Sequence, residues 1–347
     1  MAPHQPGWVG YIPVSRYLYL YLCPRVKLSN IFTMLEYAYR LKSFRILDGM
    51  VECDSLQEFY ERLAMILAGM ILNRNRQGLY REYREQVDKL PYIRGQLNIR
   101  HQLVKPWEVG FSCHYQEHTA DIEDNQILTW TLNRILYSGL CSDRGLPVIK
   151  KAYRSLLSQT SLIPLDPGRF SSRVYSRLNQ DYRPLHALCR FFLEQCGPGY
   201  EVGDHSMIPF LVDMPRLFEL FVAQWLRTYL PPEYEITPQE RVEIGENGEL
   251  TFSIDMVLYR KRDETAMCVM DTKYKSAATP TQADINQVVT YAVAKGCRDA
   301  VLIYPSSNIR PFKETIGDIT VKTLAFPLAG NLEEAGKRLV EKLISNL

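Results

Sequence analysis

Ser253-Ile254-Asp255-Met256-Val257-Leu258 and, after a polar interval, Cys268-Val269-Met270-Asp271-Thr272-Lys273-Tyr274 form the stretch on which the reading of this chain turns. Both segments have the pattern of β-strands. In the first, Leu250, Phe252, Ile254, Met256 and Leu258 fall on one face by the period of two, and Thr251, Ser253, Asp255 and Val257 fall on the other. Asp255 therefore leaves the apolar face. In the second, Asp271 and Lys273 are two residues apart and point the same way, with Thr272 turned opposite. Arg260-Lys261-Arg262-Asp263-Glu264 reads as a polar hairpin turn, so the strands are expected to be antiparallel neighbours. Two carboxylates and an ammonium then converge at one edge of a sheet. That is the kit for metal-assisted phosphodiester hydrolysis: the carboxylates hold Mg²⁺, and the lysine orients or deprotonates the attacking water and offsets developing charge. The bland alternative is a salt-bridged surface hairpin, but the hydrophobic run from Ala266 to Met270 leads straight into the charged cluster, which a solvated surface does not require.

The flanking helices add to this. Asp213 is a good N-cap and Pro215 suits a first turn, so a helix starts there with an apolar stripe of Leu217, Phe218, Phe221, Val222, Trp225 and Leu226. Glu219 sits inside that hydrophobic run, where a carboxylate needs a partner or a metal. A second helix runs from Asp284 to Lys295 and ends at Gly296, with Gln287 and Tyr291 one turn apart on one face. Ala300 to Pro305 reads as a buried strand. The order helix, strand, strand, strand, helix, strand outlines an α/β core.

Asp followed by (Asp/Glu)-x-Lys resembles the restriction-endonuclease-like nuclease superfamily. Beyond that pattern, the chain resembles the McrC family, the nuclease subunit of McrBC-type modification-dependent restriction systems, over nearly its whole length. The segments that carry the resemblance are Asn30-Ile31-Phe32-Thr33-Met34-Leu35-Glu36-Tyr37-Ala38, Arg94-Gly95-Gln96-Leu97, Asp121 to Leu128 with Asn125, and Met214-Pro215-Arg216-Leu217-Phe218-Glu219. The resemblance implies Asp255 and Asp271 as metal-binding carboxylates, Lys273 as the catalytic lysine, Glu219 as an accessory acidic metal ligand, and Gln287 and Tyr291 lining the site. Ile254 stands where many superfamily members have proline before the first Asp. It further implies a Mg²⁺ cofactor that Mn²⁺ can replace, and a McrB-like AAA+ GTPase ring as partner. That ring would read modified DNA of the 5-methylcytosine type, while this subunit docks on it and stimulates its hydrolysis.

Composition fits an intracellular enzyme without demanding one. The 347 residues allow two domains, and 46% hydrophobic content is ample for buried cores. A net charge of +2 gives no global field for DNA, so any DNA surface must be local. Lys275 is expected beyond the strand end, free to reach a phosphate. Arg169, Arg173, Arg177 and Arg183, interleaved with Phe170, Tyr175 and Tyr182, are further candidates, as are Arg74, Arg76, Arg81, Arg84 and Arg94; solvated surface or protein contact is an equal alternative for both groups. Eight scattered cysteines with no C-x-x-C suit reduced thiols of a cytoplasmic protein. Cys113, His114 and His118 are a poor zinc set for want of a fourth ligand. No signal peptide or membrane span is evident, and the absence of a G-x-x-x-x-G-K-(S/T) loop implies that this chain binds no nucleotide itself.

The expected organisation is mixed α/β. Residues 1–27 form a β segment, which the resemblance makes the end of an N-terminal β domain. Residues 28–205 form a mainly helical partner-docking region with β segments. Residues 206–347 form the restriction-endonuclease-like α/β nuclease core, with Gly197-Pro198-Gly199 as boundary. Helices are expected at 28–43, 54–76, 121–137, 145–158, 184–195 and 332–344, and strand edges at Leu18 to Leu22 are candidates for pairing with another chain. Two other readings stay open at this point: a non-catalytic activator or scaffold of a partner NTPase, and a stand-alone nuclease in DNA repair.

Overall fold

The computed structural model describes residues 7–15, 18–24, 26–39, 55–105, 107–165, 173–195, 200–202, 205–207, 210–244, 250–275 and 278–345. It divides into two compact units. One joins Met1–Leu56 to Phe210–Leu347; the other is Gln57–Pro209. Within the described residues the fold is mixed α/β, as expected.

The chain opens with β1 (Trp8–Ser15), β2 (Leu18–Leu22) and α1 (Leu28–Ala38). The second unit then holds α2 (Leu56–Gln77), β3 (Glu82–Leu90), β4 (Gln96–Leu97), α3 (Ile99–Val104), β5 (Phe111–Thr119), α4 (Glu123–Tyr137), α5 (Leu146–Leu157), α6 (Tyr182–Gln195), β6 (Tyr200–Val202) and β7 (His205–Met207). The first unit resumes with β8 (Phe210–Asp213), α7 (Met214–Tyr229), β9 (Tyr234–Ile244), β10 (Leu250–Arg260), β11 (Thr265–Thr272), α8 (Gln282–Lys295), β12 (Asp299–Tyr304), β13 (Lys313–Ile316), β14 (Ile319–Ala325) and α9 (Leu332–Ile344).

In the second unit, α2, α4 and α6 bury Tyr60, Leu67, Leu128, Leu132, Phe191 and Phe192, with Tyr60 edge-on to Phe192 at 5.0 Å. Two of the family-like segments have plain structural work here. Asn125 is fully buried; its carboxamide donates to Tyr80 O (2.9 Å) and Ala120 O (2.7 Å) and accepts from Tyr182 Oη (2.6 Å). No other residue type of that size can both donate twice and accept. Gly95 adopts φ 70°, and a Cβ there would meet His114 O at 2.4 Å, so the Arg-Gly pair marks a close passage of backbone under β5. Cys113 is buried, whereas His114, its neighbour on the strand, points to the opposite face and is exposed; His118 stacks on Tyr83. The residues between 79 and 115, ambiguous in sequence, resolve into a long ribbon, with β3 paired to β5 from Glu82↔Thr119 to Leu90↔Phe111.

The first unit is built on a six-stranded mixed sheet in the order β13-β14-β12-β11-β10-β9. β10 and β11 are antiparallel, with Val257 opposite Val269, while β11, β12 and β14 run parallel. A parallel pair needs a crossover, and α8 supplies the one between β11 and β12. Thr281 and Asp284 close a capping box at its start, and Gly296 ends it in the left-handed conformation. One face of the sheet packs under α8 through Val257, Val269, Ala300, Leu302 and Val321. Residues that alternate away from that cluster, Met270, Val301 and Ile303, are also buried, so both faces are covered, as parallel strands require. α7 packs against β9 and β11, and α9 against β14 and α7.

The N-terminal segment belongs to this unit. β1 pairs with β8 from Trp8↔Asp213 to Tyr11↔Phe210, and α1 packs on α7, where Tyr37 meets Trp225 at 5.0 Å between ring centroids. The division expected at residue 28 is therefore not where the compact units divide. The reason is long-range strand pairing, which leaves no local trace in sequence. The Gly197-Pro198-Gly199 boundary and the stretch of the first helix beyond Tyr39 lie outside the described residues.

Candidate active site

The site forms where β11 ends beside the middle of β10, against α8. The ladder between the strands runs only to Met256↔Met270, and beyond it Asp255 takes over: its Oδ2 accepts from Thr272 N (2.9 Å) and Thr272 Oγ1 (3.0 Å). Asp255 is thereby pinned beside Asp271-Thr272-Lys273 at the end of β11. Lys273 is held from three sides. Its backbone N donates to Ile303 O (2.9 Å), extending the sheet past the end of β11. Its Nζ lies 2.7 Å from Asp271 Oδ2 and donates to Gln287 Oε1 (2.8 Å). Gln287 Nε2 in turn donates to Tyr291 Oη (2.7 Å), one turn along α8. The sequence placed Asp255, Asp271, Lys273, Gln287 and Tyr291 as candidates, and the fold brings these five together.

The electrostatics are those of a charged cluster out of water. Asp271 is 1% exposed. Burial pushes its pKa up to about 7, the negative charge of Asp255 adds to the rise, and Lys273 opposes it. Its buried Oδ2 is met by the Lys273 ammonium at 2.7 Å, the positive charge set against two carboxylates. Two neighbouring carboxylates, one of them buried, with a single ammonium between them are costly unless further positive charge, such as a metal cation, joins them.

Glu219 comes from α7. It accepts from Arg216 Nη1 at 3.0 and 3.1 Å, and Gln239 Nε2 donates to its Oε1. Burial and the nearby Asp255 raise its pKa. Among the described residues, no three His, Cys, Asp or Glu side chains assemble as a ligand cluster. The arrangement therefore offers two carboxylates, Asp255 and Asp271, with Glu219 engaged to one side.

Lys275, expected to reach freely beyond the strand, is instead tied back to the start of α8. Its Nζ lies 2.5 Å from Asp284 Oδ2, and Asp284 also accepts from Tyr304 Oη (3.2 Å). Two lysines two residues apart thus dock on one helix face, Lys273 at Gln287 and Lys275 at Asp284. Arg173 is likewise engaged, with Glu123 (2.9 Å) and Asp124 (2.5 Å). Arg177 is exposed, and Arg169 lies outside the described residues. A basic stripe that sequence reading did not single out runs along α5, where Lys150, Lys151 and Arg154 are exposed and make no ion pair among the described residues. Their i, i+1, i+4 spacing was its only signal. Thr272 and Gln239 were missed as well, because their roles come from neighbours distant in sequence.

No curated protein matches the chain. Among solved structures, it is similar to a chain of the refined half-complex from a tetradecameric assembly of Thermococcus gammatolerans McrB AAA+ hexamers with bound McrC. That likeness has a TM-score of 0.52 at 18% identity, over 98% of this chain and 83% of that one. A chain of the cryo-EM structure of the Thermococcus gammatolerans McrBC complex aligns at a TM-score of 0.42 and 22% identity, over 63% of this chain and 65% of that one. At such identities the first likeness speaks for the fold alone. The family model described as "McrBC 5-methylcytosine restriction system component" matches residues 5–305, and the chain belongs to the McrBC family.

Proposed function

We propose that this protein is the nuclease subunit of a modification-dependent restriction complex, a metal-dependent endodeoxyribonuclease that docks on an AAA+ GTPase ring and stimulates it. The observation that carries the reading is the convergence of Asp255 and the buried Asp271, whose charge its surroundings disfavour, with the Lys273 ammonium fixed 2.7 Å from Asp271 Oδ2. Oxygen donors of this kind fit a hard divalent cation such as Mg²⁺, with Mn²⁺ as substitute, and Asp255 and Asp271 would hold it. Bound there, the metal would supply Lewis-acid stabilisation of the phosphate and a more acidic water.

The remaining work falls to the chain. Lys273 presents an ammonium fixed by Asp271, Gln287 and the backbone, suited to a phosphate oxygen on which charge develops or to orienting the attacking water. The Gln287–Tyr291 bond keeps the carboxamide oxygen turned to Lys273, so the lysine cannot swing away. Glu219 sits as the accessory acid. Exposed cations that make no ion pair among the described residues, Arg177 and the α5 stripe, suit a DNA backbone.

The neighbouring complex contains McrB AAA+ hexamers with bound McrC, and a like partner is proposed here. Supporting it is the far end of the β3–β5 ribbon, where α3 buries none of its residues and Ile99, Leu103, Trp107 and Val109 are exposed. Contiguous apolar exposure of that kind marks a protein contact. The β2 edge, with Leu18 and Leu20 exposed, is a second surface of the same character.

The test is to combine the full chain with its partner GTPase, GTP, Mg²⁺ and 5-methylcytosine-containing plasmid. Cleavage is expected, and Asp271→Asn should lower it by at least about a thousandfold while leaving stimulated GTP hydrolysis intact. Leu103→Asp with Trp107→Ser should show the reverse loss, GTPase stimulation first. Undiminished cleavage by Asp271→Asn would refute the site.

A further inference from the structure

Two residues other than glycine have left-handed backbone among the described residues, Gln239 (φ 51°) and Glu264 (φ 53°). Glu264 closes the turn between β10 and β11, an ordinary place for that conformation. Gln239 stands at the centre of the eleven-residue β9, where it is costly. The ladder to β10 pairs Ile254 with Glu240 and Met256 with Pro238, skipping the step where Gln239 would oppose Asp255. Side-chain alternation breaks at the same level: Phe252 and Ile254 share one core cluster with Val257 and Tyr259, so β10 changes face between residues 254 and 257. The register is the same on either side, so the irregularity is confined to the step opposite Asp255.

The Gln239 side chain shows what the strain achieves. Its Nε2 donates to Glu219 Oε1, and its Oε1 accepts from Ser253 Oγ (3.4 Å). Ser253 is two residues from Asp255 on β10. The carboxamide therefore bridges α7 to the strand that carries Asp255, across two carboxylates that repel one another. A neutral group that donates at one end and accepts at the other can do this; a carboxylate would add a third like charge, and glycine, the residue this backbone favours, has no side chain to reach.

We propose that Gln239 is a positioning residue of the active site, whose left-handed backbone aims a carboxamide that holds Glu219 beside Asp255. The inference rests on the nuclease reading above. Holding Glu219 there fixes a carboxylate whose charge bears on Asp255, so the affinity of the Asp255 and Asp271 pair for a divalent ion depends on a residue that does not touch it.

The experiment compares the full-length wild type with Gln239→Gly, Gln239→Asn and Asp271→Asn. Three quantities are measured: Mn²⁺ binding by calorimetric titration, metal-free melting temperature, and plasmid cleavage with the partner ring, GTP and Mg²⁺. In Gln239→Gly the melting temperature should stay equal or rise, while Mn²⁺ affinity and cleavage each fall about 10-fold or more. Gln239→Asn tolerates the left-handed backbone and keeps an amide, and should recover part of both losses. A merely structural role would move stability and cleavage down together, so a lower melting temperature in the glycine variant overturns the proposal. Full Mn²⁺ affinity and cleavage in Gln239→Gly, with both lost in Asp271→Asn, removes this inference and leaves the nuclease reading standing. Wild type that binds no Mn²⁺, or cleavage retained in Asp271→Asn, removes both.

Discussion

Asp271 carries the residue-scale consequence. Its carboxyl sits near 7 in the folded, metal-free protein against an ordinary 3.8, because burial and Asp255 disfavour its charge. A folded pKa above the unfolded one gives stability that is present below pH 3.8 and lost as pH rises through about 7. Metal-free wild type should therefore lose stability across that window, as judged by urea unfolding at successive pH values. Asp271→Asn should flatten that limb and be the more stable protein at pH 8, yet inactive. Mg²⁺ should raise the melting temperature of wild type at pH 8 and leave the variant unmoved. A variant less stable than metal-free wild type at pH 8 would mean that Asp271 is not held against its charge. The pairing of Asp255 with Asp271-x-Lys273 was legible because period-two alternation and i, i+4 spacing are local rules. The engagement of Lys275 by Asp284 was not, since both residues looked equally exposed in sequence and only the placing of α8 decides which carboxylate a lysine meets.

At the scale of elements, the helix boundaries of α4, α5 and α9 followed caps and apolar periodicity to within a residue or two. The packing between helices did not follow. Gly336 in α9 reads as a poor helix residue, but a Cβ at that position would lie 2.0 Å from Trp225 Cε2. Trp225 is 1% exposed and flanked by Phe221, Tyr229 and Phe326, so it cannot step aside. Intrinsic propensity alone would have Gly336→Ala stabilise α9 by up to about 1 kcal/mol. Overpacking outweighs that gain, and the expected outcome is a net loss of about 2 kcal/mol in denaturant unfolding. A stabilised variant would show that α9 does not press on α7 at this point.

For the whole molecule, the unit that bears the candidate site is assembled from both ends of the chain. A fragment spanning 206–347 would keep Asp255, Asp271 and Lys273 but lose β1, the strand partner of β8, and α1, whose Tyr37 packs on Trp225 and hydrogen-bonds Tyr229 of α7. It should express as an aggregating or partly unfolded species, and co-expression of residues 1–56 should restore a dispersed amide NMR spectrum. Residues 57–209, continuous in sequence, should fold alone and be the better fragment for testing GTPase stimulation. Independent folding of 206–347 would show the N-terminal elements to be dispensable.

What the sequence determined by itself was the set of local periods and caps, and with them the strand that carries Asp255, the strand that ends in Asp271-x-Lys273 and the helix that presents Gln287 and Tyr291. Those features depend on residues within a few positions of one another, and their chemistry is written in residue type. The tertiary structure alone decided that Trp8 to Ser15 would lie against Phe210 to Asp213, that Lys275 would be tied to Asp284, and that Gln239 would take a left-handed backbone opposite Asp255. Each of these depends on contact between segments brought together by burial and pairing of the whole chain, where the free energy comes from surfaces that no window of neighbouring residues contains.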